Sequence, residues 1–167
     1  MPTTIDGSAS ATFNTPLPIA QGGTNVSVVP AFSAYQSTAQ SIPNGTYTKI
    51  QYQTKEFDIT SAYDAVTNYR FQPLVTGYYQ INAAVYFTTG AASTLLTIFR
   101  NNIEYRRGCQ SGGVAGSGQL ATVASLIFFN GTTDYIEMQG FQASGTTNTT
   151  GAGGLLTYFQ AFLARAA

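Results

Sequence analysis

The sequence contains no histidine and no tryptophan. The absence of histidine removes the usual general base, the Ser-His and Cys-His catalytic arrangements and most transition-metal sites. Seven acidic side chains remain, but no motif around them is typical of a carboxylate-based enzyme. We therefore predict that the chain is not an enzyme and has no catalytic residues, no metal site and no cofactor.

Charge is scarce as well. Only 8% of the residues are charged, and seven basic residues balance seven acidic ones, whereas an ordinary domain has about 25% charged residues. A neutral chain lacks the electrostatic attraction that supplies most affinity for nucleic acids and anionic membranes, so we expect neither as a partner. An uncharged polar surface is instead typical of a chain that leaves much of itself against other subunits.

Two small groups of charges leave alternatives open. Glu56, Asp58 and Asp64 lie close in sequence and could hold a hard cation such as calcium, but their spacing lacks the alternating ligands of a dedicated loop, which favours surface carboxylates. Arg100, Arg106 and Arg107 could grip an acidic partner. Local pairing or solvation is the favoured interpretation of these arginines.

Cys109 is the only cysteine, which excludes an intrachain disulfide. A free cysteine is usually a small buried hydrophobe, so we expect Cys109 to be buried. The first ten residues, MPTTIDGSAS, lack the basic and apolar regions of a signal peptide, and no run of about 18 apolar residues is present. We therefore expect a protein made in the cytoplasm of its host cell that does not enter a membrane.

Residues 1–29 form a segment of their own. They contain few large apolar side chains but include Pro16, Pro18, Gly22 and Gly23, so they cannot build a core. We predict an extended arm at 1–29 followed by one domain at 30–167. Within the arm, PLPIAQGGTN at 16–25 resembles a segment common just ahead of C-terminal domains in bacteriophage tail-fibre proteins, which implies attachment to a virion through Pro16, Leu17, Pro18 and Ile19.

The domain is a succession of alternating segments. The clearest begins at Tyr78, where Tyr79, Ile81, Val85 and Phe87 share one face. Asn101-Asn102 can adopt the positive φ angles of a type I′ turn and predicts a hairpin. The predicted strands cover residues 30–36, 47–60, 78–87, 93–100, 103–110, 120–129, 135–141 and 155–165.

Two of these segments are apolar on both faces. In 120–129, Leu126 and Phe128 lie on one face while Ile127 and Phe129 lie on the other, and 155–165 fits either a strand or a helical stripe. In a single sandwich one such face would meet water, so a partner subunit is expected to cover it. Short strands separated by Gly, Asn and Pro turns predict an antiparallel sandwich, most commonly a jelly roll at this length.

Several of these segments also carry a family resemblance. PAFSAYQS at 30–37 is similar to the opening strand of the complement component 1q globular-head family, and RFQPLVTGYYQINAAVYF at 70–87 resembles its Phe, Pro, Gly-Tyr-Tyr signature strand. LTIFRNN resembles its Asn-Gly hairpin, with Asn102 in place of Gly. LIFFNGTTDYIEMQ at 126–139 resembles its Gly-Asp strand start, with Gly131 and Asp134 further apart, and YFQAFLA resembles its final strand, with Ala161 in place of Gly.

The resemblance implies an all-β antiparallel jelly-roll sandwich of about ten strands, of the complement and tumour-necrosis-factor type, assembled as a homotrimer. It also favours a strand for the last segment. The residues expected at the trimer interface or in the core are the aromatic residues Tyr78, Tyr86, Phe128, Phe129, Tyr158, Phe159 and Phe162.

These features together predict a non-enzymatic structural protein on the surface of a bacteriophage virion. An arm of 29 residues spans at most ~100 Å, which favours a capsid decoration (cement) protein or a short fibre that contacts other virion proteins. The alternative is the receptor-binding head of a tail fibre, with the loop at 144–154 contacting a host cell-surface glycan through Asn148, Thr149 and Thr150.

Overall fold

The computed structural model describes residues 28–113 and 116–167 of the chain. These residues form antiparallel β-strands and no helix, so none of them lies in a helix that could cross a membrane. The predicted attachment residues Pro16–Ile19 lie outside the described residues. The strands are β1 (Ala31–Tyr35), β2 (Ser41–Ile42), β3 (Thr48–Lys49), β4 (Thr54–Asp58), β5 (Tyr63–Asp64), β6 (Arg70–Phe71), β7 (Gly77–Phe87), β8 (Thr94–Arg100), β9 (Ile103–Arg107), β10 (Gln119–Phe129), β11 (Ile136–Gln142), β12 (Asn148–Thr149) and β13 (Tyr158–Ala166).

The strands pack as two sheets face to face. Sheet I has the order β10-β7-β13-β1-β4, and sheet II has the order β5-β6-β11-β8-β9, with β3 also paired to β11. A short third ladder joins β12 to β2. The prediction of an all-β antiparallel sandwich is confirmed, and the last segment is a strand from Tyr158 onward.

An inner strand of sheet I is β7, which pairs along its whole length with β10 and from Gly77 to Ala84 with β13. Tyr79, Ile81, Val85 and Phe87 are fully buried between the sheets, whereas Tyr78 is exposed on the opposite face. The predicted register of this strand is therefore correct. Because side chains alternate across a strand, a shift of one residue would have placed the opposite set in the core.

The core between the sheets is rich in aromatic side chains. Phe32 stacks on Tyr63 and on Phe71, with ring centroids 4.8 Å and 4.7 Å apart, and meets the edge of Phe159 at 4.8 Å. Burial of each such side chain contributes about 1.5–3 kcal/mol to folding before the entropic cost is subtracted. This cluster joins β1 and β13 of sheet I to β5 and β6 of sheet II.

The segment 47–60 was predicted as one strand, and this prediction is wrong. It divides into β3, which pairs with β11 in sheet II, and β4, which pairs with β1 in sheet I. The residues between them cross from one sheet to the other, with Ile50 and Tyr52 fully buried on the way. A crossing chain that buries every second side chain has the same period of two as a strand.

The hairpin β8–β9 turns at Asn101 and Asn102, whose φ angles are 51° and 66°. The predicted positive-φ turn is therefore confirmed. Cys109, in contrast, was expected to be buried and is exposed. Its backbone N–H donates to the carbonyl of Thr122 at the edge of β10, at 2.9 Å. The chain therefore runs along the edge of the sandwich at this point, where the thiol meets solvent.

Candidate functional site

The outer face of sheet I carries large apolar side chains that no described residue covers. Leu126 is 57% exposed, Phe162 48% and Phe128 37%, and Tyr78 lies beside Phe128 with ring centroids 5.4 Å apart. We call these four residues the apolar band. Monomeric proteins rarely expose contiguous apolar surface of this kind, and such patches are typical of interaction sites.

The strand register places the band across three neighbouring strands. Phe128 on β10 is opposite Tyr78 on β7, and both Leu126 on β10 and Phe162 on β13 are opposite Gln80. Directly opposite side chains are about 4.5–5.5 Å apart at Cβ, so the four form one surface. Phe57 on β4, at the far edge of the sheet, is half-exposed too.

The structure divides the seven aromatic residues selected from the sequence. Tyr78, Phe128 and Phe162 belong to the apolar band, whereas Phe129 and Phe159 are fully buried in the core. Tyr86 and Tyr158 are half-buried on the outer face of sheet I. Gly118 and Gly151 pack against the ring of Tyr86, where a Cβ on either glycine would collide with the ring. Leu126 was not among the selected residues, although its place in the doubly apolar strand β10 pointed to it.

Both ends of the described chain lie at one end of the sandwich. The carbonyl of Pro30 accepts from the N–H of Leu163 at 2.9 Å. The N–H of Ala167 donates to the carbonyl of Thr76 at 3.2 Å. Thr76 Oγ1 in turn donates to the carbonyl of Asn130 at 3.0 Å. We call this end, formed by residues 28–30, 59–62, 72–76, 101–102 and 130–135, the arm end. The opposite end, formed by residues 36–46, 88–93, 143–157 and the described part of 108–118, is the loop end.

The predicted receptor residues lie at the loop end. Asn148 and Thr150 are buried, and only Thr149 is exposed. Asn148 Nδ2 donates to the carbonyl of Thr89 at 2.7 Å, and Thr150 Oγ1 accepts from the N–H of Gln40 at 2.9 Å. These two side chains therefore hold three loops together, and Thr149 is the member of the set that can meet a ligand.

No charged residue occurs in the four segments that form the loop end. Their side chains are mainly Ser, Thr, Asn and Gln, with several glycines. The charges of the described residues lie elsewhere, on the sides of the sandwich and at the arm end. The two ends of the domain therefore differ in chemistry.

The acidic side chains that could have held a cation are used by the fold itself. Asp58 accepts from the N–H groups of Ala62 and Tyr63 and pairs with Lys55 at 3.1 Å. Glu56 accepts from Ser33 Oγ at 2.5 Å. Among residues 28–113 and 116–167, no three acidic or cysteine side chains are placed to share a metal ion.

Asp64 closes the loop that follows β5. Its carboxylate accepts from the N–H groups of Val66, Thr67 and Asn68 and from Asn68 Nδ2. The bonds from Thr67 and Val66 contribute most to holding the pKa of this carboxyl well below its usual range. Asp64 is therefore a negative charge at ordinary pH.

The arginines near the hairpin are locally paired, as the favoured interpretation expected. Arg100 pairs with Asp134 at 2.7 Å, Arg107 pairs with Glu104, and Arg106 lies over the ring of Tyr105 at 4.3 Å.

Asp134 also joins two loops at the arm end, because its carboxylate accepts from Asn101 Nδ2 at 2.9 Å and from the N–H of Asn130 at 3.0 Å. Burial acts to raise the pKa of Asp134. The hydrogen bonds from Asn101, Arg100 and Asn130 outweigh that effect, and the pKa lies below its ordinary value.

Comparisons with known proteins give similarity of structure but not of sequence. No protein-family model and no curated protein sequence matches the chain. The globular domain of zebrafish complement 1qA is similar with a TM-score of 0.64 and 13% identity, over 84% of this chain and 100% of that one. The Eiger tumour necrosis factor of S. frugiperda is similar with a TM-score of 0.65 and 9% identity, over 83% and 94%.

The chain has the complement and tumour-necrosis-factor jelly-roll fold. This jelly roll is also similar to the PRD1 vertex protein P5, with a TM-score of 0.56 and 16% identity over 83% of this chain and 99% of that one. At these identities the likeness concerns the fold. It confirms the architecture that the sequence resemblance implied.

Proposed function

We propose that the chain is a non-enzymatic structural protein of a bacteriophage virion, in which three copies form a knob held to the particle by the N-terminal arm. The observation that carries this proposal is the apolar band on the outer face of sheet I. A second copy of the chain covers the band of the first. The knob then serves as a capsid decoration (cement) protein or a short fibre on the virion surface.

Three copies are favoured over an open chain of subunits. The complement and tumour-necrosis-factor family that the sequence resembles assembles as a compact homotrimer. A cyclic trimer uses one interface three times and closes, so no copy of the band stays exposed to solvent. Leu126 and Phe128 lie on β10, one of the two edge strands of sheet I, where a neighbouring subunit can reach them.

The virion setting is supported by two independent observations. The segment at 16–25 resembles one found ahead of C-terminal domains in tail-fibre proteins, and one of the similar structures is a phage vertex protein. The described chain begins at the arm end. An arm that leaves there holds the knob by this end and points the loop end away from the particle.

Deletion of residues 2–29 tests the attachment. The shortened chain is expected to remain a folded trimer and to lose its binding to particles assembled from the genome that encodes it. Circular dichroism and sedimentation report the fold and the assembly, and co-sedimentation with particles reports the attachment. Attachment that persists without the arm would contradict the proposal.

A second candidate is the receptor-binding head of a tail fibre, with the loop end as the binding surface. The observation that favours it is the loop end itself, which carries no charge and is held together by the buried side chains of Asn148 and Thr150. A rigid surface of hydroxyl and amide groups suits an uncharged glycan. The absence of tryptophan, the favoured sugar-stacking residue, counts against it. A glycan array with the trimer is the test, and Thr149→Ala should reduce any signal.

A further inference from the structure

A polar hollow of about 270 Å³ lies at the arm end, beside β5 and β6 of sheet II. Its wall includes Ser61, Asp64, Asn68, Arg70, Gln72 and Leu74. The apolar band proposed to join the subunits shares no residue with the wall of this hollow. The side chains that line it therefore need a separate explanation.

Arg70 is the positively charged side chain among the residues that line this hollow. Its guanidinium lies over the ring of Tyr135, 4.5 Å from the ring centroid, and has no carboxylate oxygen within 4.0 Å among the described residues. Arg100, in contrast, is paired with Asp134. A half-buried guanidinium that packs on an aromatic ring keeps its planar set of N–H donors, and this set matches the geometry of a carboxylate.

Two acidic side chains flank Arg70 in the strand register, Asp64 on β5 and Glu137 on β11. Both are already engaged. The Asp64 carboxylate accepts from three backbone N–H groups, and Glu137 pairs with Lys49 at 2.5 Å and accepts from Gln139. The guanidinium donors therefore stay available. The two negative charges oppose any anion, and they oppose a doubly charged anion about twice as strongly as a singly charged one. A single carboxylate is the anion that this arrangement suits.

The position of the hollow indicates where such a carboxylate comes from. The N–H of Ile59 donates to the carbonyl of Ala31 at the start of β1, and Ser61 lines the hollow two residues later. The hollow therefore lies beside the place where the arm leaves the domain. Leu74 on its wall is 74% exposed, and Val66 in the adjacent loop is 78% exposed, so apolar surface flanks the charged centre.

We propose that this hollow is a second contact with the protein that holds the arm, and that it takes an Asp or Glu side chain flanked by an apolar residue. This inference rests on the attachment proposed above. The arm tethers the knob, and the Arg70 contact fixes its orientation on the partner. The described chain begins at the same end of the domain as the hollow, so one partner surface can meet both the arm and Arg70.

The binding test uses the full chain and short blocked peptides. Acetyl-Glu-Leu-amide is titrated against isotopically labelled protein and observed by NMR at the amides of residues 61–74. Acetyl-Gln-Leu-amide and inorganic phosphate are titrated in parallel. The Glu peptide is expected to shift these amides, and the Gln peptide and phosphate are expected to bind at least about tenfold more weakly, because they lack the charge or carry too much of it.

Arg70→Gln is expected to weaken binding of the Glu peptide by about tenfold or more. Arg106→Gln is the matched control, because Arg106 also lies over a tyrosine ring but at the opposite edge of sheet II. Equal binding of the Glu and Gln peptides, or unchanged binding in Arg70→Gln, would overturn the proposal. Tighter binding of phosphate would also overturn it, since the site would then be one for inorganic anions. The comparison of peptides on the unmodified chain holds even if Arg70→Gln fails to fold.

Particle binding separates this inference from the proposed function. If removal of the arm abolishes attachment while Arg70→Gln has no effect on peptide or particle binding, the knob is tethered by its arm alone and the hollow contact is refuted. If attachment survives removal of the arm, the proposed attachment through the arm is refuted, whatever the result for Arg70→Gln.

Discussion

Phe32 is one of the side chains that connect the two sheets, with three aromatic neighbours within 5 Å between ring centroids. Phe32→Ala removes these contacts and leaves a cavity, so we expect the free energy of unfolding to fall by about 3–5 kcal/mol. Chemical denaturation at a fixed protein concentration measures this. Leu155→Ala is the control, because Leu155 is 90% exposed, and it should change the same quantity by less than about 0.5 kcal/mol.

Asp134 and Asp64 contribute to the response of the fold to acid. Both pKa values are lowered in the folded chain, so their contribution to stability is complete above the unfolded pKa of about 4 and is lost as the pH falls through the folded pKa. We expect a melting temperature that is steady from about pH 8 to 5 and declines below about pH 4. Asp134→Asn should lower the melting temperature at pH 7 and make the acid decline shallower. An acid decline of unchanged steepness in this variant would count against the assignment.

Single residues were the hardest features to predict from the sequence. Cys109 was expected to be buried because free cysteines usually are, yet it lies at a sheet edge and is exposed. Asn148 and Thr150 were selected for a polar loop that could contact a ligand, yet both are buried. In each case the burial of a side chain depends on the segment packed beside it. The composition of the sequence does not identify that segment.

At the scale of elements, the hairpin turn allows a direct test of backbone conformation. Asn102 has a φ of 66° and is exposed. Alanine disfavours this left-handed conformation, so Asn102→Ala should lower the free energy of unfolding by about 1 kcal/mol.

Asn102→Gly is the matched control, because glycine adopts positive φ freely. It should keep the stability within about 0.5 kcal/mol of the original chain, since Gly is also the usual residue at this position of a type I′ turn. Equal losses in the two variants would mean that the Asn102 side chain, rather than its backbone angle, stabilises the turn.

Strands were predicted well where a period of two runs through one sheet. β7 begins and ends within two residues of its predicted limits, because alternation reports burial on one face directly. β10 and β11 also lie within two residues of their predicted limits, since Gly and Asn turns bound them. The segment 47–60 failed because alternation persists while the chain leaves one sheet for the other. The two-residue strands β2 and β12 were missed, since they are too short to show any period.

At the scale of the whole molecule, the apolar band predicts self-association. Phe128→Glu places a charge in the centre of the band, so the variant should sediment as a single folded chain instead of at three times that mass. Its circular dichroism should be unchanged, because Phe128 is not part of the core between the sheets.

Leu155→Glu adds the same charge at the loop end and should remain trimeric. An assembly that is unaffected by Phe128→Glu would show that the band is not the surface between subunits. A loss of assembly in both variants would point to a general effect of charge.

The sequence indicated that some apolar faces need a partner but did not show which ones. Phe128 and Phe129 are neighbours in the chain, and Phe159 and Phe162 lie in one strand, yet the structure places one of each pair outside and the other in the core. Alternation separates the two faces of a strand and leaves open which face meets the other sheet. The family resemblance supplied the topology, and the register of β7, β10 and β13 then identified the exposed set.

The placement of both ends of the described chain at the arm end determines how the molecule can present foreign sequences. A peptide fused after Ala167 leaves the domain beside Thr76. In the attachment proposed above, it would face the surface that carries the knob. An insertion between Gly116 and Ser117 leaves from the loop end, at exposed residues where Gly116 has a φ of 91° and open space around it. A knob built on this fold would therefore display three copies of an inserted epitope outward, while cargo fused to its C-terminus would stay beneath it.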